Sequence, residues 1–255
     1  MAHSEISAAD AVAQASQPVL EFARGWLLNK ETTRRGDELG LRKGRGFWVN
    51  GRAGVVGDVD ADVACAAVGF MAPGKFREIW EDRPAGASSR ELAAEYAQCC
   101  FAWARSGVLD AVPEARLARL TELTRRVVDA ALPTTGALFA GWRAMPAPSD
   151  APGAAALALH VLRELRGGAH ITAVLASGMT PLDAAMSAPP PRGGADWAAD
   201  LGWAEPFPDP AGLAEKRAAA EALTSSLVAP TYEALAPAER GELVDLVVEA
   251  RAAIG

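Results

Sequence analysis

Alternating β-branched segments are almost absent from this chain, whereas alanine recurs throughout it. Half-buried strands need that alternation and alanine is the best helix former, so the sequence predicts a mainly α fold. The chain has 255 residues, of which 50% are hydrophobic. That is enough for one large or two modest domains with hydrophobic cores.

Helix start and stop signals are frequent. A first helix is predicted to begin after Ser7 or Asp10 and to run through Trp26, with Pro18 kinking or restarting it. Further starts are predicted where a capping side chain or a first-turn proline precedes an apolar repeat, at Pro73, at Ser88 with Glu91, at Pro113 and at Thr180 with Asp183.

Breaker-rich segments suggest where the chain divides. Residues 145–153 are rich in proline and predict a surface loop. Residues 188–194 contain three consecutive prolines, which stiffen a chain, and predict a linker before a C-terminal part. We therefore expect an N-terminal helical half over residues 1–110, a second half over 111–187, and a linker with a C-terminal helical subdomain over 188–255.

The charge balance argues against a protein that coats nucleic acid. The net charge is −7 and the pI is about 5.1, whereas nonspecific binding to phosphate backbones needs clustered cations. Residues 30–45 form the one strongly basic stretch, which predicts either a solvated face or loop or a phosphate contact. No secretory signal and no apolar run of membrane length is found, so we expect a soluble cytoplasmic protein without a membrane partner.

Glycine recurs every few residues between positions 44 and 58, beside Phe47 and Trp48. This segment lacks the Gly-Lys-Ser/Thr ending of a phosphate loop and follows no clear strand, so it predicts a tight structural turn rather than a nucleotide site. Arg52 is its one side chain able to reach an anionic ligand or a buried carboxylate.

Residues 163–170, Arg-Glu-Leu-Arg-Gly-Gly-Ala-His, place ionisable side chains around two glycines inside an apolar region. The glycines are predicted to end one helix, with His170 near the first turn of the next. His160 and Glu164 are four residues apart and should share a helix face. With His170 they could supply two imidazoles and a carboxylate to a metal. Alternatively, Glu164 pairs with an arginine and His170 caps a helix or is satisfied in the core.

Nucleophilic catalysis has little support in the sequence. Cys65, Cys99 and Cys100 lack the spacing of zinc or redox pairs and are predicted to be small core residues. No Gly-x-Ser-x-Gly elbow is present, and His3 belongs to a terminus that we expect to fray. We assign no catalytic residue, metal or cofactor.

Three segments carry a resemblance to a known family: residues 46–53, residues 70–73 followed by Trp80, and residues 162–170. Together, over positions 44–186, they resemble a poorly characterised actinobacterial family labelled SalK-like or helix-turn-helix-like. The resemblance implies a mostly helical protein of two related halves that ends in a winged-helix-like module. Family members carry histidines where this chain has Leu157 and Leu165, and a fuller wing than residues 201–213 offer here, so we expect a degenerate winged-helix-like C-terminal part.

Three functions follow as hypotheses. The first is a helix-turn-helix-related sensor or accessory protein that binds a small anionic or aromatic molecule in a pocket. The second is an enzyme that uses Glu164 and His170 as acid and base or as metal-site residues. The third is a DNA-binding regulator whose residues 30–45 contact phosphates, which the acidic balance makes the least favoured. The ligand-binding residues predicted for the first are Trp48, Arg52, Glu164, Arg166 and His170.

Overall fold

The computed structural model describes residues 4–190 and 192–254, so the predictions that concern His3 and Pro191 lie outside the described residues. The mainly α fold is confirmed. Within the described ranges there are thirteen α-helices and no strand, and the segment expected to form a degenerate wing contains a short 3-10 helix instead. The helices are α1 (Ala8–Leu27), α2 (Lys30–Glu38), α3 (Gly46–Ala53), α4 (Ala61–Val68), α5 (Pro73–Glu81), α6 (Ser89–Trp103), α7 (Glu114–Asp129), α8 (Ala137–Arg143), α9 (Ala151–Ala176), α10 (Pro181–Met186), α11 (Gly194–Asp200), α12 (Ala214–Tyr232) and α13 (Pro237–Ala252).

Most predicted helix starts are confirmed. The Ser7 side chain accepts a hydrogen bond from the Asp10 amide at the start of α1, and Ser88 with Glu91 forms a reciprocal capping box at α6. The helix starts predicted at Pro73, Pro113 and Thr180 also occur. The restart predicted at Pro18 is wrong, because α1 continues through it. Proline removes only one helical hydrogen bond there, while residues of α1 both before and after Pro18 are buried in the core.

Helix α9 is the centre of the fold. It has 26 residues and packs against α1, α6, α7, α8 and α12. Its buried positions surround most of its circumference, as expected for a helix enclosed by others. Because neighbours cover α9 on several sides, its residues His160, Glu164 and His170 are buried.

The helix end predicted at Gly167 and Gly168 is wrong, because α9 runs through both residues and through His170. The reason is packing. A methyl group added to Gly168 would lie 2.3 Å from the carbonyl oxygen of Thr135 and 2.9 Å from the Cα atom of Gly136. Glycine is needed at position 168 so that two stretches of backbone can approach each other, not to stop the helix.

The tight turn predicted between residues 44 and 58 is also wrong in part. Residues Gly46–Ala53 form α3, followed by a 3-10 turn over Gly54–Val56. A methyl group on Gly51 would lie 2.6 Å from the Cβ atom of Tyr96, and one on Gly54 would lie 2.1 Å from the carbonyl oxygen of Ser89. These glycines let α3 and the following turn lie directly against α6, and they place Trp48 and Arg52 on a rigid helix.

The C-terminal helices complete the same core. Helix α12 packs against α9 and α1, and α13 packs against α1 and α7. Most buried hydrophobic residues, from positions 8 to 250, form one cluster that includes all three predicted segments, and Val174, Met179, Ala184 and Ala220 form a second, small one. None of the helices in the described residues has both the length and the apolar character needed to cross a membrane.

Candidate ligand-binding cavity

A cavity of about 860 Å³ opens beside α9. Helices α1, α3, α4, α8, α10, α11 and α12, with segments between the helices, supply the rest of its wall. All five residues predicted from the sequence line it: Trp48 and Arg52 from α3, and Glu164, Arg166 and His170 from α9. The structure therefore brings the predicted residues together. The volume of the cavity lies in the range of small-molecule sites.

The cavity wall is strongly cationic although the whole chain is acidic. Among the described residues, seven arginines and only two glutamates line it, which leaves five positive charges in excess. The arginines are Arg24, Arg45, Arg52, Arg163, Arg166, Arg192 and Arg217, and the glutamates are Glu164 and Glu221.

Arg52 and Glu164 form a buried bidentate ion pair. Nε of Arg52 donates to Oε1 of Glu164 and Nη2 donates to Oε2, both at 2.8 Å, and Arg163 also donates to Oε1. The side chains of Arg52 and Glu164 are 7% and 1% exposed. Burial opposes ionisation of Glu164, but the charges of Arg52 and Arg163 outweigh it and lower the pKa of the carboxyl. The predicted pairing of Glu164 with an arginine is confirmed.

His160 lies behind this pair and does not line the cavity. Its ring meets Trp26 and Trp142 edge-on, with centroid distances of 5.0 and 4.3 Å. Its Nε2 atom lies 3.5 Å from Oε1 of Glu164. Burial lowers the pKa of His160 to about 3, so the imidazole is neutral at pH 7. His160 is thus an aromatic core residue on the helix face predicted for it.

The proposed metal set of His160, Glu164 and His170 is wrong in geometry. Because α9 is continuous, His160 and His170 are separated by about 15 Å of helical rise. Glu164 and His170 are separated by about 9 Å, and Glu164 is already held by two arginines. The described residues contain no group of three or more His, Cys, Asp or Glu side chains arranged to hold a metal. Among the described residues, no hydrogen bond or ion pair joins Glu164 to His170, and Glu164 is held by arginines instead.

His170 has one ring nitrogen held and the other free. Its Nδ1 atom lies 2.9 Å from Oγ1 of Thr224, whose hydroxyl donates to the carbonyl oxygen of Ala220 at 2.6 Å. The single hydroxyl proton of Thr224 is used on Ala220, so Nδ1 of His170 must be the donor. Burial lowers the pKa of His170 to about 4. The neutral ring therefore presents Nε2 as a hydrogen-bond acceptor on the cavity wall.

Glu221 partly neutralises this end of the cavity. Its carboxylate accepts hydrogen bonds from Arg166 and Arg217. Arg217 also donates to the carbonyl oxygen of Ala184, and the buried Nε atom of Arg166 has no hydrogen-bond partner within the described ranges. Two arginines thus share one carboxylate beside His170.

The opposite end is compensated less. Arg45 and Arg192 lie over the ring of Trp197 with their guanidinium carbons 5.0 and 5.2 Å from its centroid. Arg45 pairs with Asp200, but no carboxylate of the described residues lies within ion-pair distance of Arg24 or Arg192. Burial, and then the positive charges of four neighbouring arginines, lower the pKa of Arg192 to about 10. Repelling cations without a partner are typical of an anion site.

Sequence reasoning missed Arg24, Arg192 and Trp197. Arg24 is an ordinary last-turn cation of α1, and Arg192 follows the proline triplet that was interpreted as a linker. Neither arginine carries a local signal in the sequence, because the lack of a carboxylate partner is visible only once distant segments are brought together.

The basic stretch of residues 30–45 is largely compensated. Part of it is α2, where Arg34 pairs with Glu31 and Glu38 and Arg35 pairs with Glu95. Lys43 pairs with Asp82. Lys30 and Arg42 are exposed on this surface. The interpretation as a solvated face fits these contacts.

The cysteines show no activated thiol. Cys65 and Cys100 are buried, Cys99 is partly buried, and all three are free. Burial raises the pKa of each thiol, which keeps it protonated at neutral pH.

Comparison with known proteins gives one result. No curated protein and no solved structure matches this chain. A family model described as a helix-turn-helix family matches residues 9–255, which is nearly the whole chain and includes every helix that lines the cavity. The chain therefore belongs to this helix-turn-helix family.

Proposed function

We propose that this protein binds an anionic small molecule in the arginine-lined cavity, as a sensor or accessory protein of the helix-turn-helix family. One observation carries the proposal: five positive charges are in excess on the wall, and Arg24 and Arg192 have no carboxylate partner in the part of the chain that the structure describes. The more specific placement among SalK-like actinobacterial proteins stays a prediction.

The physical argument concerns the cost of unpaired cations. A guanidinium removed from water loses hydration, and that loss is recovered only by a hydrogen-bonded anion. Arginine is suited to this role because its planar fork binds carboxylate or phosphate oxygens in pairs. Trp48 and Trp197 already lie against arginines at the wall and offer apolar surface to the body of a ligand.

Calorimetric titration with inorganic phosphate and with phenyl phosphate tests the proposal, beside native mass spectrometry of the purified protein. We expect both anions to bind, and Arg192→Gln or Arg24→Gln to weaken phenyl phosphate about tenfold, because each removes one charge-assisted contact of roughly 1.5 kcal/mol. The matched control is Arg125→Gln, an exposed α7 arginine outside the cavity. Absence of binding to the wild type, or equal affinities in all three variants, would overturn the proposal.

DNA binding is the second candidate, and the family description is the observation that favours it. The exposed Lys30 and Arg42 would contact phosphates. Fluorescence anisotropy with a labelled duplex at several salt concentrations tests this, and affinity should fall with salt and fall further in a Lys30→Gln, Arg42→Gln double variant. No salt-dependent binding of any duplex in a random-sequence pool would exclude it.

A further inference from the structure

The cavity extends along α9 and has different chemistry at its two ends. Arg163 and His170 both line it, and seven residues of continuous helix separate them by about 10 Å along the axis. The unpaired cations Arg24 and Arg192 lie near Arg163, whose charge acts on Arg192. His170 marks the other end. One ligand that reached both ends would be an elongated molecule.

Gly167 lies between these ends and leaves the wall open. A methyl group there would meet only Oε2 of Glu164, at 3.6 Å, which is ordinary van der Waals contact. Gly168 differs, because a methyl group there would collide with the backbone of Thr135. Packing explains the glycine at position 168 but not the one at 167, where a side chain would project into open cavity space.

The His170 end combines apolar side chains and the Arg166, Glu221 and Arg217 cluster with one unpaired acceptor. The ring of His170 lies 5.6 Å from the ring of Phe70, and Phe70, Val68 and Ile171 line the cavity nearby. Thr224 holds Nδ1 in its protonated form, while Nε2 has no hydrogen-bond partner among the residues that the structure describes. Glu221 is already engaged by Arg166 and Arg217. A donor on the ligand would therefore pair with Nε2 of His170, the acceptor that the described residues leave without a partner at this end.

We propose, resting on the anion-binding function above, that the ligand is an elongated amphipathic molecule with an acidic group at one end and a hydroxyl or N–H donor at the other. The acidic group binds at Arg24 and Arg192. The apolar body crosses the wall at Gly167, and the donor, about 10 Å away along α9, hydrogen-bonds to Nε2 of His170. In this arrangement His170 is a specificity-determining residue that reads the far end of the ligand.

Three probes separate the parts of this proposal: inorganic phosphate, octyl phosphate and ω-hydroxyoctyl phosphate, each titrated by calorimetry. In the wild type we expect octyl phosphate to bind more tightly than phosphate, because it buries its chain. We expect ω-hydroxyoctyl phosphate to bind about tenfold more tightly than octyl phosphate, because its hydroxyl pairs with an acceptor that is otherwise left unpaired. Equal affinity for the two octyl probes would overturn the role of His170 without touching anion binding.

Two variants test the path across α9. Gly167→Leu should abolish the advantage of both octyl probes while inorganic phosphate keeps its affinity, and Gly167→Ala provides a milder version. His170→Phe, which keeps a ring against Phe70, should remove only the preference for the hydroxyl. If Gly167→Leu leaves octyl phosphate binding unchanged, the elongated placement is wrong. If no probe binds the wild type, the anion-binding function itself fails, and this inference fails with it.

Discussion

Helix α9 contains the buried carboxylate of Glu164 and two buried histidines. Glu164 is almost fully buried, yet it is ionised because Arg52 and Arg163 surround it. A buried pair of this kind contributes little net stability compared with apolar residues, but breaking it leaves a charge without a partner. The importance of Arg52 and Glu164 was visible in the sequence, since each is a charged residue in an apolar context. Their direct contact joins positions 112 residues apart and needed the structure.

Removal of one partner should cost more than removal of both. We predict that Arg52→Met lowers the free energy of unfolding by about 3 kcal/mol, because Arg163 alone must compensate Glu164. The double variant Arg52→Met, Glu164→Leu should recover most of that loss. Urea denaturation followed by circular dichroism measures both values, with the exposed Arg125→Met as control. A double variant no more stable than the single one would contradict this account.

Neutral buried histidines make stability depend on pH. The folded pKa of His160 is about 3, below the ordinary value of 6.5, so the unfolded chain takes up a proton that the folded protein refuses. The contribution of neutral His160 to the free energy of unfolding is fully present above pH 6.5 and is lost as the pH falls from 6.5 towards 3. At pH 5 the loss amounts to about 2 kcal/mol. His170, with a folded pKa of about 4, adds a loss of the same sign.

We predict that His160→Phe removes about half of the loss of stability between pH 7 and pH 5. Phenylalanine can keep the edge-on contacts with Trp26 and Trp142, and it has no titrating proton. Urea unfolding at the two pH values measures the difference, and this window lies above the range in which carboxylates protonate. An unchanged difference would show that His160 does not control the acid sensitivity.

At the scale of elements, glycine can either end a helix or allow close backbone contact, and the sequence alone does not separate these two roles. Proline and capping residues predicted the starts of α1, α5, α6, α7 and α10 correctly, because a cap acts within three residues of its helix. The glycines at 167 and 168 predict a helix end, whereas α9 continues. A glycine that allows backbone contact looks identical to a helix-ending glycine until its neighbour, here Thr135, is known.

The two adjacent glycines should respond in opposite directions to the same substitution. Gly168→Ala forces the Thr135 and Gly136 backbone away and is predicted to destabilise by about 1–3 kcal/mol, as overpacking does. Gly167→Ala meets no backbone and should stabilise by up to about 1 kcal/mol, because alanine favours the helix. Thermal unfolding of the two variants provides a matched comparison. Equal effects would mean that the predicted collision at position 168 is relieved by a shift of α9.

For the whole molecule, the cavity is a product of assembly rather than of any one segment. Its wall joins Arg24 of α1, Arg52 of α3, Glu164 of α9, Arg192 of the segment before α11, and Glu221 of α12. Four of its polar residues and Trp48 could be predicted because they belong to unusual local patterns. Its charge excess could not, since it depends on which cations lack a carboxylate after folding.

The C-terminal helices should be inseparable from the rest of the fold. Arg119 of α7 donates to Glu242 of α13 at 2.7 Å, and Arg126 donates to Glu239 at 2.6 Å. Helix α12 also covers α9 and supplies Thr224 to His170. Removal of residues 188–255 would expose the apolar faces of α1, α7 and α9 to water.

We therefore predict that a chain ending at residue 187 lacks a cooperative unfolding transition, although it retains part of its helical circular dichroism. Addition of the separate segment 192–255 should restore cooperativity, because the two parts share one hydrophobic core and are joined only through a proline-rich connection. Cooperative unfolding of residues 1–187 alone, with dispersed amide signals in NMR, would instead establish that the C-terminal part is a separate subdomain, as the proline triplet first suggested. The cavity would then lie between two folding units, and ligand binding would be expected to strengthen their association.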